Sequence, residues 1–126
     1  MTSINILIVD DEIDFINRVK FGLKQFDFIK ACSVEEAKTL INSDIDVIML
    51  DLNLNPSNKT MEGLLLIDYF KKHFPMIPIT IITGYGTVSV AVEAMKRGAD
   101  DFLKKRDMDL IEWEKRLELL VKNKNL

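Results

Sequence analysis

The chain has 126 residues, 48% hydrophobic and 29% charged, which is sufficient for one domain, residues 1–126, with an ordinary hydrophobic core. The net charge of −3 argues against a nucleic-acid-binding surface, because phosphate binding requires clustered positive charge. Short apolar runs interrupted by charges argue against a membrane span, and the start shows no signal-peptide pattern, so we expect a cytoplasmic protein.

Apolar runs alternate along the chain with segments of helical spacing. The predicted strands are residues 4–9, 28–32, 47–50, 79–83 and 102–103. They show little internal alternation of apolar and polar residues, which is typical of strands buried on both faces. Five such strand–helix units predict an α/β fold, a doubly wound (βα)5 flavodoxin-like domain whose five-stranded parallel sheet has the order 2-1-3-4-5.

The intervening helices are predicted from apolar stripes and end signals. Ser33 and Glu36 form a capping box before the second helix, and Gly98 is expected to end the fourth. The stripes expected to face the core are Ile16, Val19, Leu23 and Phe26 in the first helix, Leu66, Ile67, Phe70 and Phe74 in the third, Val88, Ala91, Val92 and Met95 in the fourth, and Leu110, Trp113, Leu117 and Leu120 in the fifth.

Acidic residues directly follow the first and third predicted strands. In the predicted strand order, Asp10, Asp11 and Asp51 meet at the sheet edge where ligands bind in doubly wound folds. Carboxylates this close repel each other unless one is protonated or a cation is shared. Hard oxygen ligands without His or Cys favour Mg²⁺, so we predict a magnesium site. The alternative is that Asp10 and Asp11 stabilise the start of the first helix and Asp51 only begins a loop.

Two more strand ends add a hydroxyl and an ammonium group to the same edge. Thr83 ends the fourth strand, and the fifth strand continues into Lys104 and Lys105, of which only one can face the site because side chains alternate. Carboxylates, a hydroxyl and an ammonium group together predict a site for a phosphoryl group on a carboxylate. Individually, Thr83 is also an ordinary strand residue and Lys105 an ordinary surface lysine.

Four segments in this order resemble the receiver domain of the bacterial two-component response-regulator family over essentially the whole chain. They are ILIVDDE (6–12), VIMLDLNL (47–54), ITIITGYG (79–86) and GADDFLKK (98–105). The resemblance implies that Asp51 is the phosphoacceptor, that Asp11 binds Mg²⁺ directly and Asp10 through water, and that Asn53 contributes its backbone carbonyl. The segment AVEAMKRGADDFLKK (91–105) is most similar to receivers joined to transcription-activating output domains.

The resemblance also assigns three residues to the switch. It implies that Thr83 binds a phosphoryl oxygen, that Lys105 pairs with the phosphoryl group, and that Phe102 is the aromatic residue whose rotamer reports phosphorylation. Phe102 is otherwise interpreted as an ordinary core residue of the fifth strand.

The resemblance implies a signalling cycle. A sensor histidine kinase or phosphotransfer protein donates a phosphoryl group from phosphohistidine to Asp51 with Mg²⁺, and water later hydrolyses the acyl phosphate. The domain would catalyse both steps without being a conventional enzyme. Phosphorylation is then expected to shift the face formed by the fourth helix, fifth strand and fifth helix, which would control an output domain or partner or form a homodimer. We place Val90, Ala94 and Trp113 on this face; Val90 is alternatively a scattered surface residue.

The sequence departs from the family pattern at Arg106, where proline is usual, and in the long segment 55–60. A trans peptide before Arg106 is expected, because a cis bond before a non-proline residue costs about 2.5–4 kcal/mol. Because of these departures, an alternative function is a degenerate receiver that acts as a phosphorylation-independent protein-interaction module.

Three other classes are less consistent with the sequence. A phosphohydrolase of the haloacid-dehalogenase type requires an acid where Asn53 stands, and an FMN phosphate would be repelled by the acids after the first strand. The glycine-rich segment 83–89 follows the wrong strand for a dinucleotide loop, and Thr87 is better interpreted as a helix cap.

Overall fold

The computed structural model describes residues 3–52, 59–84 and 88–124, in which strands and helices alternate. The strands are β1 (Ile4–Val9), β2 (Phe26–Ala31), β3 (Val47–Asp51), β4 (Ile79–Thr83) and β5 (Asp101–Lys104). The helices are α1 (Ile13–Gly22), α2 (Val34–Leu40), α3 (Lys59–His73), α4 (Val88–Lys96) and α5 (Leu110–Lys124), with a 3₁₀ turn at Lys105–Asp107. Among the described residues, no helix combines the length and the hydrophobicity of a membrane-spanning segment.

The five strands form one parallel sheet in the order β2-β1-β3-β4-β5, which confirms the predicted fold class and order. Every residue of β3 and β4 is buried, whereas the edge strands β2 and β5 are partly exposed. Helices therefore cover both faces of the central strands, as their unbroken apolar runs predict.

Two hydrophobic clusters lie on the two faces of the sheet. One packs α1 and α5 against the sheet through Phe15, Ile16, Val19, Trp113 and Leu117. The other packs α2, α3 and α4 against the opposite face, and its helical members are Ala37, Leu64, Leu66, Ile67, Phe70 and Ala94. Both clusters hold the strands in a fixed register, so the residues that follow the strand ends are placed by the core.

The first predicted stripe was wrong beyond Val19. Helix α1 ends at Gly22, Leu23 is its C-cap, and Phe26 begins β2 by pairing with Ile4. Leu23 and Phe26 are both buried in the α1/α5 cluster, but from a turn and a strand. Their separation by three positions therefore matched a helical repeat by coincidence. Strand β2 starts two residues and ends one residue earlier than the predicted 28–32.

The start of α2 follows its prediction. The Ser33 hydroxyl accepts a hydrogen bond from the Glu36 backbone N–H (3.1 Å). The Glu36 carboxylate reaches back to the N–H of Cys32 (2.8 Å), one residue before the cap, rather than to that of Ser33. Both bonds satisfy N–H groups near the helix start.

The predicted core face of α4 was also wrong. Ala94 is fully buried and Val90 packs against the core, whereas Val92 and Met95 are 46% and 39% exposed. The helix is apolar on most sides, so spacing alone did not select a face. The small side chain of Ala94 lies against the sheet, and Arg97, just after α4, bonds Asp68 of α3 (2.6 Å).

The predicted stripe of α3 is confirmed for Leu66, Ile67 and Phe70, whereas Phe74 follows the helix and is partly buried against the same core. Two further helix predictions are confirmed. Gly98 follows α4 with a positive φ of 117°, a conformation that favours glycine. In α5, Trp113 and Leu117 are buried and Leu110 and Leu120 pack beside them.

Candidate functional site

The sheet register brings the acidic residues of β1 and β3 together. Val9 pairs with Leu50, so the next residues, Asp10 and Asp51, leave the two strands at the same level. Both side chains are completely buried, and Asp11 beside them is exposed. One carboxylate oxygen from each of Asp10, Asp11 and Asp51 lies within 4.8 Å of the others. The structure thus brings together the three acids that the sequence predicted to meet.

The backbone fixes Asp10 in this position. Its N–H donates to the carbonyl of Ala31 (2.9 Å), and its Oδ1 accepts from the N–H of Glu12 (2.9 Å). The N-cap of α1 is Glu12, so neither Asp10 nor Asp11 occupies the capping position. Asp51 is the last residue of β3 rather than a loop residue. The helix-cap alternative therefore does not describe these acids.

The side chain of Lys105, the residue after β5, extends into the acidic cluster. Its Nζ lies 2.8 Å from Asp10 Oδ2, 2.9 Å from Glu12 Oε1 and 3.1 Å from Asp51 Oδ2. Lys104 is exposed, so Lys105 is the lysine that faces the site. It does so from the first position of the 3₁₀ turn, just beyond the strand. The ammonium also lies 4.4 Å from the centre of the Phe15 ring, which forms an apolar floor beneath it.

The three carboxylates keep Lys105 charged. Burial by itself disfavours the ammonium, but contacts with Asp10 and Glu12 and the negative charges of Asp51 and Asp10 outweigh burial. The pKa of Lys105 is therefore raised above its ordinary value. The lysine is a permanent positive charge at this edge of the sheet across the neutral pH range.

The acids fit a hard divalent cation. Asp10 Oδ2 is buried, and its one polar contact among the described residues is the ion pair with Lys105. The buried carboxylates of Asp10 and Asp51 share one ammonium, that of Lys105, which leaves net negative charge that a cation would offset. Oxygen ligands alone suit Mg²⁺ better than a softer metal. The donor set thus fits the predicted metal.

Thr83 ends β4 opposite Lys104 of β5, and Gly84 follows it beside the Lys105 side chain. Asp51 pairs with Ile82, so Thr83 ends β4 one residue beyond the level of Asp51. Thr83 is 7% exposed, and a Cβ added to Gly84 would lie 3.9 Å from the Lys105 side chain. The hydroxyl of Thr83 is therefore at the end of β4 beside Lys104 of β5, and the ammonium of Lys105 comes from the turn just beyond β5.

Other predicted features have mixed outcomes. Phe102 is 37% exposed, so the interpretation as a core residue was wrong. The described peptides include no cis bond, so Lys105–Arg106 is trans as expected. In the segment 55–60, residues 59 and 60 belong to α3, while Asn53 and residues 55–58 lie outside the described ranges, as does the proposed cap Thr87.

Two contacts of the site were not predicted from the sequence. The Lys105 ammonium donates a hydrogen bond to the Glu12 carboxylate, although the two residues are 93 positions apart in sequence. Phe15 lies beneath the same ammonium. Glu12 was visible as the third acid after β1, but its partner could be identified only from the register of β5. Phe15 has the apolar spacing of a core residue, and nothing in that spacing indicates a contact with a cation.

Comparisons with known proteins agree with this geometry. The profile of the response regulator receiver domain matches residues 6–114. A putative NtrX-like response regulator of Rickettsia bellii is 38% identical over 108 residues, 83% of this chain and 22% of the relative. The receiver domain of NtrX from Brucella abortus superposes with a TM-score of 0.75 at 33% identity, covering 94% of this chain and 96% of that chain.

A CheY-like receiver protein from Methanospirillum hungatei JF-1 shares the fold, with a TM-score of 0.85 at 21% identity and 98% of both chains covered. The chain spans about 22% of the length of the first curated relatives that it matches. The profile match, these relatives and the acidic site at the strand ends lead to one conclusion: the chain belongs to the response regulator receiver domain family of two-component signalling.

Proposed function

We propose that the chain, residues 1–126, acts as one receiver domain in which Asp51 is the phosphoacceptor. The observation that carries the proposal is the buried contact between Asp51 and Lys105, which lie 3.1 Å apart although they are separated by 54 residues in sequence. A carboxylate beside a permanent cation and two further acids has the charges that phosphoryl transfer requires.

The phosphoryl donor in this proposal is a phosphohistidine of a sensor histidine kinase or a phosphotransfer protein. A carboxylate oxygen of Asp51 forms a bond to phosphorus as the P–N bond breaks, and the imidazole nitrogen keeps the electron pair. Lys105 stays close enough to pair with the transferred group, and the Thr83 hydroxyl at the end of β4 is placed to donate to one of its oxygens.

Asp10, Asp11 and Asp51, with the backbone carbonyl of Asn53, are the proposed ligands of Mg²⁺. Bound there, the ion would offset the charge of the carboxylates and of the phosphoryl group. Asp11 is the exposed member and is proposed as a direct ligand, whereas buried Asp10 is proposed to act through water.

The same site would later release the phosphoryl group by hydrolysis of the acyl phosphate. Water attacks phosphorus, the bond to the Asp51 oxygen breaks, and the carboxylate is regenerated together with inorganic phosphate. In this sense the domain would catalyse its own phosphotransfer and dephosphorylation without being a conventional enzyme.

We propose that phosphorylation alters the face made of α4, β5 and α5. Thr83 precedes α4 and Lys105 follows β5, so a shift of either toward a phosphoryl group displaces elements of this face. The exposed apolar side chains of these elements include Val92, Met95, Phe102, Ile111 and Leu119. Ala94 and Trp113, which we placed on this face from the sequence, are buried instead, and Val90 packs partly buried against the core. The face would serve a homodimer, an output domain or an effector protein; unchanged mass in light scattering after activation would exclude the dimer.

The type of output and the cellular location are proposed from the known response regulators. The relatives include the response regulator protein PilR and NtrX-like regulators, which are longer than this chain, so we propose an output in transcription regulation. Like other response regulators, the protein is proposed to act in the cytoplasm, without direct contact of this domain with nucleic acid or membrane.

Beryllofluoride, a mimic of the phosphoryl group, tests the central assignment. With Mg²⁺ present, we expect amide NMR shifts around β3, β4 and β5 in the native protein and in Asp14→Asn, an exposed acid of α1, but none in Asp51→Asn. A folded native protein that gives no response would instead support the degenerate receiver, the phosphorylation-independent interaction module.

A further inference from the structure

The Glu12 carboxylate contacts Lys105, but Glu12 is neither a proposed ligand of Mg²⁺ nor the proposed phosphoacceptor. Its Oε1 lies 2.9 Å from Nζ, but its side chain is 62% exposed, whereas Asp10 and Asp51 are fully buried. Glu12 is the N-cap residue of α1, yet its side chain makes no capping hydrogen bond. Its carboxylate reaches Lys105 instead.

The Lys105 ammonium has three N–H groups and lies within 3.1 Å of three carboxylates. Phosphorylation converts the Asp51 carboxylate into an acyl phosphate, so the phosphoryl oxygens replace that carboxylate as the partner of Lys105. Because these oxygens lie further from β3 than the carboxylate did, Lys105 must move toward them and weaken its contact with either Asp10 or Glu12. Asp10 is buried and would be poorly solvated without a partner. Glu12 is the exposed partner, which water can solvate at little cost, so its contact is the one that Lys105 can release.

We propose that Glu12 is a positioning residue that competes with the phosphoryl group for Lys105. Before phosphorylation it holds the ammonium at the rim of the site, above Phe15. After phosphorylation Lys105 leaves Glu12 for the phosphoryl oxygens. Glu12 thereby favours the unphosphorylated arrangement and weakens the phosphorylated one. The inference rests on the proposed role of Asp51 as phosphoacceptor.

The first test is a titration of beryllofluoride at saturating Mg²⁺, followed by amide NMR. Exposed charge pairs are weak, so Glu12→Gln should tighten binding about two- to fivefold. Asp14→Asn removes the same charge from the exposed side of the first turn of α1 and should bind like the native protein.

A second variant separates contact from charge. Glu12→Asp keeps the negative charge but shortens the side chain by one methylene, so it loses the contact with Lys105. We expect it to tighten binding in the same direction as Glu12→Gln. If Glu12→Asp binds like the native protein while Glu12→Gln binds more tightly, long-range repulsion explains the effect and the competition for Lys105 is refuted.

A double-variant cycle places the effect on Lys105. In a Lys105→Gln protein, adding Glu12→Gln should leave beryllofluoride affinity unchanged, because the competed ammonium is gone. An undiminished two- to fivefold change in that background would overturn the proposal.

Carboxyl ¹³C NMR of Glu12 in the unsubstituted protein gives an independent readout that does not depend on how the variants fold. Its resonance should move when beryllofluoride binds, and a resonance that stays fixed would contradict the release of Lys105. If the native protein binds no beryllofluoride, both the phosphoacceptor assignment and this inference fail; if it binds and Glu12→Gln matches Asp14→Asn, this inference alone fails.

Discussion

Phe15 and Trp113 meet edge to face between α1 and α5, with ring centroids 6.1 Å apart and planes inclined at 61°. Phe15 also contacts the acidic site, because the centre of its ring lies 4.4 Å from the Lys105 ammonium. The single tryptophan of the chain is therefore three contacts away from the proposed phosphoacceptor, through Phe15 and Lys105.

This arrangement predicts that Trp113 fluorescence reports movement of Lys105. Addition of beryllofluoride with Mg²⁺ should change the emission of the native protein, because Phe15 responds to the displaced ammonium. Phe15→Leu should diminish the change while NMR still shows binding, and Phe21→Leu, an exposed aromatic on the same helix, should preserve it. A native protein that binds without any change in emission would show that the Phe15 contact does not transmit the movement.

Removal of Lys105 is predicted to destabilise the fold. Lys105→Met leaves Asp10 and Asp51 buried without their cation, and breaking a buried ion pair from one side typically costs about 3 kcal/mol or more. Urea unfolding without Mg²⁺ measures the loss. The matched control is Lys104→Met at an exposed neighbour, which we expect to change the free energy of unfolding by less than about 0.5 kcal/mol. Equal losses for both variants would refute the structural role of Lys105.

The pH dependence follows from the raised pKa of Lys105. A lysine whose pKa is higher in the folded state contributes stability that is complete below its unfolded pKa of about 10.4 and is lost as pH rises through the folded pKa. The stability difference between the native protein and Lys105→Met should therefore be constant from about pH 7 to pH 9.5. Urea unfolding across this range measures it; a difference that shrinks before pH 9.5 would contradict the raised pKa.

Magnesium is predicted to stabilise the fold through Asp11. At a free concentration of about a hundred times its dissociation constant, an ion that binds only the folded state raises the free energy of unfolding by about 2.7 kcal/mol. Thermal unfolding detects this stabilisation as a higher Tm. Asp11→Asn should remove this response and, without Mg²⁺, should raise the Tm because it removes one of the clustered negative charges. Asp14→Asn should keep the full response to Mg²⁺. An unchanged response in Asp11→Asn would place the ion elsewhere.

The sequence predicted the parts of the structure that depend on buried strands. The unbroken apolar runs identified the central strands, and the acids directly after them identified the site, because parallel strands end at one edge. Local signals also succeeded where a side chain acts on its own backbone, as at Ser33, or where only glycine suits the conformation, as at Gly98.

The errors arose where packing rather than spacing decides. Val92 and Met95 were expected to face the core, but a helix that is apolar on most sides can turn another face to the sheet, and Ala94 does so. Leu23 and Phe26 imitated a helical repeat from a turn and a strand. The contact of Glu12 with Lys105 joins two ends of the chain, and no local pattern contains it.

The most direct measurement is whether Asp51 becomes phosphorylated. The native protein, incubated with Mg²⁺ and phosphoramidate as donor, should gain the mass of one phosphoryl group, which peptide mapping after borohydride reduction should place at Asp51. The gain should be lost in Asp51→Asn and without Mg²⁺. Folded native protein that gains no mass, or that carries the group at another residue, would contradict the phosphoacceptor assignment on which the account depends.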